Sequence, residues 1–379
     1  MMDNIHFENL FESIPDREEE ERQIQEIANL TVKLLEKRYL SPERVLRGVH
    51  PKSHGCLKAR FETLNGIDES LQVGLFKEPG KSYDAVMRYS NADSLVREDL
   101  KNGENGSRGM AIKILGVKGK ILHHHGGRRS QDFLMINTPQ FAFVNVADYL
   151  KLQQVLVQFE DNPLPFFAPL QSPPPTDPVK LAEFLRVKQS FDVVTLIKKT
   201  PVANPLEVAY FGASPFLFGE NRVMRVSIVP HGAKKEQRVP PNASQNYLRE
   251  ALQKTMAGNE NVVFDFQIQV RKAGEDKLHI EDATRFWPEE EFRPQTVARI
   301  TITAPQTGLD SPEYLEECEQ LSFTPWHALA EHQPLGGINR LRKPVYFASA
   351  DKRRVKTKIT AKKWAKKRAK KKAKRQSNR

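Results

Sequence analysis

Residues 84–90 (DAVMRYS), 108–115 (RGMAIKIL) and 132–136 (DFLMI) are the stretches whose reading decides the fold. Each is short, apolar or β-branched, and bounded by Gly, Asn or Asp, which is the composition of a strand. Working outward, Phe264, Phe266, Ile268 and Val270 alternate with polar neighbours, and Ala298, Ile300 and Ile302 repeat the pattern. Alternation with a period of two suits a sheet with one buried face. The variable spacing of these runs predicts an antiparallel sheet or barrel, not a βαβ array. No internal repeat is visible.

Ahead of the strands, residues 17–38 predict an opening helix. Ile24, Ile27, Ala28, Leu34 and Leu35 share one face, and Gln25, Glu26, Asn29, Lys33 and Glu36 line the other. This reads as a helix docked on the local core, with a partner-binding helix as the alternative. Residues 162–178 (NPLPFFAPLQSPPPTDP) hold seven prolines, which excludes a continuous helix or a central strand. A wrapping loop or linker is expected there, or a Pro-rich ligand for a recognition module. Helical character returns over 179–196.

With 379 residues and 39% hydrophobic content, the chain can bury one large core or two modest ones. Its net charge of +12 is local. Lys352 to Arg379 hold 16 Lys and Arg and no acid, so the rest of the chain is net negative. That removes the argument for a nucleic-acid-binding globular body. The tail itself (356–379) reads as disordered when free. It suits either weak contact with nucleic acid or an acidic membrane surface, or a purely solvating role.

Two cysteines are too few for a disulfide framework, and Cys56 reads as a small core residue. A reducing compartment is therefore the expectation. No apolar run approaches the roughly 18 residues of a membrane span, and the N-terminus is acidic, so a soluble, cytoplasmic protein is expected. His50 and His54 are split by Pro51 and do not form a helical metal pair. His123, His124 and His125 read as a polar loop tip, since three adjacent side chains cannot face one metal on a regular element.

Six segments occur in an informative order. They are SPERVLRGVHPKSHG (41–55), DAVMRYSN (84–91), GSRGMAIKIL (106–115), DFLMINTPQF (132–141), EECEQLSFTPWHA (316–328) and GINRLRKPVYFASADKRR (337–354). From about residue 38 to about 355 the chain thereby resembles the catalase superfamily, in a short form. The resemblance implies an α+β fold with an antiparallel β-barrel core and surrounding helices. It also implies an N-terminal helical arm (1–37), a haem-binding domain (38–355) and the basic tail (356–379).

It further implies haem b as cofactor, with Tyr346 as the ligand to iron. Arg342, one helical turn earlier, is expected to hold the phenol as phenolate. His50 takes the role of distal proton carrier and Ser90 fixes its ring. Arg47, Arg88 and Arg353 match the arginines that pair with haem propionates, and Tyr149 matches an aromatic stacked on the porphyrin. The family's distal asparagine falls on Ile136, and a one-residue slip lets Asn137 serve in its place. Pro344 requires the helix carrying Tyr346 to start late or kink.

The implied function is a peroxidase or catalase-like oxidoreductase acting on hydrogen peroxide or organic hydroperoxides. One alternative is an enzyme that rearranges fatty-acid hydroperoxides, like the allene oxide synthases of the superfamily. That branch has Thr before the distal histidine, where this chain has Val49. An alternative of another class is a non-catalytic haem or nucleic-acid binder acting through its tail. Full-length catalases are tetramers, so an oligomer is in keeping with the resemblance.

Overall fold

The computed structural model describes residues 12–40, 45–100, 103–123, 129–212, 214–272 and 278–353. The Lys-rich tail, its boundary at 355, residues 1–11 of the N-terminal arm, His124 and His125 lie outside them.

Nine strands form one antiparallel sheet: β1 (Ser53–Thr63), β2 (Ser82–Asn91), β3 (Arg108–Leu115), β4 (Ser130–Ile136), β5 (Tyr210–Gly212), β6 (Phe216–Leu217), β7 (Arg222–Pro230), β8 (Val262–Lys272) and β9 (Gln295–Ile302). Neighbours run β5-β4-β3-β2-β1-β9-β8-β7, and β5 pairs back onto β7. Eight strands therefore close into a barrel, while β6 shares the same edge of β7. Closure removes the unpaired edges that an open sheet would expose.

Side-chain alternation fills the barrel. Along β1, Leu57, Ala59, Phe61 and Thr63 are buried while Lys58, Arg60 and Glu62 are exposed. Phe266, fully buried on β8, places its ring 5.4 Å from Phe61, 5.8 Å from Phe76 and 5.1 Å from Phe133. Such tilted and edge-on pairs strengthen burial that already dominates the core energetics. The five stretches read as strands from their composition all lie in this barrel.

Helices cover one side. The expected opening helix is α1 (Arg17–Arg38), capped by Asp16, whose carboxylate accepts from the Glu19 amide at 3.0 Å. Its buried face continues into α2 (Val146–Gln158) and into α6, the helical residues 337–353. Leu34, Leu152, Leu156, Phe166 and Val187 form a second cluster. That cluster joins α1 and α2 to α3 (Pro178–Lys199) and to a 3-10 turn over Leu164–Gln171. The proline-rich stretch is thus a wrapping segment, with Phe166 inserted into the core. Two short helices, α4 (Tyr247–Met256) and α5 (Pro312–Gln320), lie against β1.

Two expectations need correction. Of the late start or kink expected at Pro344, the late start does not occur: helix α6 begins well ahead of Pro344 and runs through it. Near its start, Arg340 binds three carboxylates, Glu12, Glu20 and Glu281. Anchoring of that kind offsets the backbone hydrogen bond that proline removes. Cys56, read as a lone core residue, is joined to Cys318 in a disulfide with a Cα–Cα distance of 5.7 Å. The bond ties β1 to α5 across 262 positions, a pairing that spacing alone does not reveal.

Cross-linking so long a loop restricts the unfolded chain. Cys318→Ser is expected to lower stability by about 2–4 kcal/mol. The check is urea unfolding with and without a dithiol reductant; equal midpoints for the variant and the unreduced native chain would rule out the bond's role.

Candidate functional site

The β2–β3–β4 ladder builds one wall of the site. Ser90 pairs with Gly109, which pairs with Ile136; two residues along, Arg88 pairs with Ala111 and Ala111 with Leu134. Directly opposed residues share a face of the sheet, so these form two adjacent rows. His50, in the loop before β1, rests on the first row. Its Nδ1 lies 3.0 Å from Ser90 Oγ, and a Cβ on Gly109 would stand 2.4 Å from the ring. Only glycine leaves room for the imidazole there.

The backbone of His50 is also specialised. Its φ of 60° lies in the left-handed region, which costs a non-glycine residue on the order of 1 kcal/mol. The conformation is fixed from both sides. The His50 amide donates to the Asp93 carbonyl at 2.8 Å, and its carbonyl accepts from Arg88 Nη2 at 2.9 Å.

Helix α6 supplies the opposite wall. Arg342, Val345, Tyr346, Ser349 and Arg353 recur at helical spacing and line the cavity that His50 and Ser90 also line. Thr31 of α1 closes it. Tyr346 and His50 are therefore brought to one cavity from segments almost 300 residues apart.

The arginines gather at the end of α5. Arg47 pairs with the Glu319 carboxylate and donates to the Leu321 carbonyl at 2.6 Å. Arg88 Nη2 lies 3.4 Å from Glu319 Oε1, and Arg353 donates to the Glu319 carbonyl at 2.7 Å. Glu319 thus meets Arg47 and Arg88 through its carboxylate and Arg353 through its backbone carbonyl. Burial, and then the neighbouring Arg47, lower the Arg88 guanidinium to about 9, and its Nε is buried with no partner among the described residues. Burial first, then Arg88, Arg342 and Arg47, lower the His50 imidazole to about 3, so it is neutral.

Two sequence assignments change. Asn137 lines neither cavity of this region; its Oδ1 accepts from the Arg108 amide at 2.7 Å. The ladder puts Ile136 on the His50 row, so the register slip that would have let Asn137 serve does not occur. Arg342 makes no hydrogen bond to Tyr346 among the described residues. It donates to Asn339 Oδ1 at 3.3 Å and lies 5.5 Å over the Phe141 ring. Tyr149 stacks near Phe141, 6.5 Å between centroids, with its phenol raised by burial to about 12. His54 lies apart from both cavities, 2% exposed and bonded to Asn91 Oδ1 at 2.9 Å.

Glu319, Gly109 and Thr31 were not picked out from sequence. Only Gly109 carried a signal, as a glycine inside a strand pattern. Beyond His50 the site opens into a wider cavity of about 350 Å³. Val49, Ile136, Phe141, Phe143, Leu156 and Ile197 are among its walls, and Tyr149 lies there as well.

No family model matches the chain, and no curated protein matches it. Solved structures do. A fungal catalase superposes with a TM-score of 0.56 at 17% identity, covering 81% of this chain and 57% of that one. Catalase A from Saccharomyces cerevisiae gives 0.62 at 16%, over 82% and 61%. A bacterial catalase gives 0.59 at 17%, over 85% and 60%. The chain spans about three fifths of the length of these proteins. The likeness establishes a catalase-type α+β fold, as the motif order implied. Among the described residues no helix is long and apolar enough to cross a membrane.

Burial lowers His54 to about 3 and His332 to about 4, against 6.5 when exposed. The unfolded chain therefore binds protons that the folded chain refuses. Stability is full above pH 6.5 and is lost as pH falls below it, by up to about 1.4 kcal/mol per unit for each histidine. Urea midpoints at pH 7 and pH 5 measure this, and His332→Gln should flatten the dependence.

Proposed function

We propose that this chain is a haem-dependent oxidoreductase of the peroxidase or catalase-like kind, acting on hydrogen peroxide or organic hydroperoxides. The observation that carries the reading is the single cavity shared by a neutral imidazole, a tyrosine phenol and a cluster of arginines. The donor set fits haem b. A phenolate suits ferric iron, and Arg47, Arg88 and Arg353 suit two carboxylates, the buried Nε of Arg88 being without a partner. Ala111, Leu134, Phe323 and Val345 supply apolar walls for a flat macrocycle.

When bound, the haem iron supplies the redox chemistry that splits an O–O bond. Tyr346 would hold the iron, and Arg47, Arg88 and Arg353 would hold the propionates. His50 would accept the proton of the hydroperoxide on its ring nitrogen and return it to the oxygen that leaves. Its neutrality is a requirement for that task, since an imidazolium cannot accept a proton. With Ser90 holding Nδ1, Nε2 is the working nitrogen.

Ile136 tilts the choice of substrate. It offers methyl groups beside His50 where an amide would hydrogen-bond hydrogen peroxide. Organic hydroperoxides gain apolar contact there, while dismutation of hydrogen peroxide loses a polarising donor. The wide apolar cavity beyond supports the same preference.

Reconstitution with haem should produce a Soret band, and Tyr346→Phe should change the ferric spectrum. An unchanged spectrum in the variant would falsify Tyr346 ligation. Ile136→Asn is expected to raise hydrogen peroxide turnover roughly tenfold to hundredfold relative to an alkyl hydroperoxide. Because His50 sits at about 3, kcat/KM should show no acid limb between pH 5 and 7; a limb near 6.5 contradicts the assignment.

A further inference from the structure

The Cys56–Cys318 bond lies closer to the site than a long-range tie requires. In the β1–β2 register Cys56 stands directly opposite Arg88, and the same row continues across the sheet to Ala111 and Leu134. Directly opposed residues share a face, so the disulfide starts from the second row of the site wall. Its other sulfur comes from Cys318, the residue before Glu319. One covalent bond thus links the strand partner of Arg88 to the neighbour of the carboxylate that meets Arg47 and Arg88.

Helix α5 has little else to hold it. Cys318 is the single buried residue among its nine. Tyr314 is half-buried against the barrel core, and Glu313, Glu316 and Glu317 are exposed. A short element with so few buried side chains belongs to the low end of local stability. It can open and admit a reductant while the barrel stays folded.

The end of α5 nevertheless carries the contacts that gather the arginines. Arg47 binds the Glu319 carboxylate and the Leu321 carbonyl, and Arg353 binds the Glu319 carbonyl. Like charges held together out of water need a counter-charge. Glu319 supplies one. Set against the three guanidiniums of Arg47, Arg88 and Arg353, its single negative charge leaves two positive charges, the complement of a dicarboxylate.

We infer that the disulfide is a redox-sensitive anchor for this cluster. While intact it keeps Glu319 among the arginines; its reduction withdraws Glu319 and lowers the affinity of the cluster for a dicarboxylate. A dithiol reductant breaks the S–S bond by giving up two electrons and two protons. Cys56 and Cys318 become thiols, and the reductant becomes a disulfide. The end of α5 then frays, Arg47 and Arg353 lose their carbonyl partners, and the guanidiniums move apart. The inference rests on the peroxidase reading for the identity of the dicarboxylate, the two propionates of haem b.

The test compares the full-length oxidised chain with the chain reduced by dithiothreitol and then freed of it, using haem b and its dimethyl ester as probes. Amide hydrogen exchange without haem comes first. Reduction should speed exchange over residues 313–321 roughly tenfold or more and leave β2, β3 and β4 unchanged. Haem affinity, read from the Soret band, should fall about tenfold on reduction, the worth of a charge-assisted hydrogen bond, and recover on reoxidation. The dimethyl ester, which lacks the carboxylates, should bind both forms equally. Glu319→Gln in the oxidised chain should reproduce the loss for haem, and Cys318→Ser should bind like the reduced chain and ignore the dithiol. Unchanged exchange over 313–321, loss of the whole fold on reduction, or an equal fall for the ester overturns the inference. A chain that takes up no haem in either state, yet shows the change in exchange, removes the peroxidase reading alone; one that takes up haem alike in both states removes the anchor alone.

Discussion

The hydrogen-bonded register of β2, β3 and β4 is the constraint on which the site depends. It aligns Ser90, Gly109 and Ile136 in one row, and that row receives the His50 ring. A shift of one residue in any of the three strands would turn every side chain of that strand to the other face. The buried side chains of the barrel resist such a shift, because it would take Met87 of β2, Ile112 of β3 or Phe133 of β4 out of the core. Core packing therefore fixes the chemistry of the outer face as firmly as it fixes the strands.

Electrostatics then sets the protonation state of His50. Burial and three nearby guanidiniums all oppose charge on the ring. A hydroxyl such as Ser90 cannot outweigh them, since a neutral hydrogen bond contributes about 1 kcal/mol. Glu319 works mainly on the arginines, pairing with Arg47 and approaching Arg88. The result is a neutral imidazole beside a cationic cluster, an arrangement that keeps the proton off the ring and favours anions near the arginines.

Much of this was legible in the sequence because it is local. Alternation revealed β8 and β9, and a one-face stripe revealed α1. The ordered motifs pointed to the catalase-type fold and to His50, Ser90, Arg47, Arg88, Arg353 and Tyr346 as one set. What failed was non-local. Arg342 lies one helical turn from Tyr346, yet Phe141 and Asn339 claim its guanidinium. Asn137 follows Ile136, but the strand pleat turns it to the Arg108 amide. Glu319 is unremarkable within EECEQ until α5 packs beside β1. Register, helix packing and long-range pairing decide such matters, and none leaves a mark in a short window of residues.

The Cys56–Cys318 bond carries a consequence for the order of assembly. One partner lies in the first strand of the barrel and the other in α5, after all nine strands have been made. During synthesis the bond cannot form until residue 318 has emerged, so it seals a barrel whose strands already exist. The pair is also a gauge of surroundings. Disulfides persist in oxidising compartments and are rare where thiol reductants are abundant. The thiol count of the freshly isolated chain thus records the redox history of the place in which it matured.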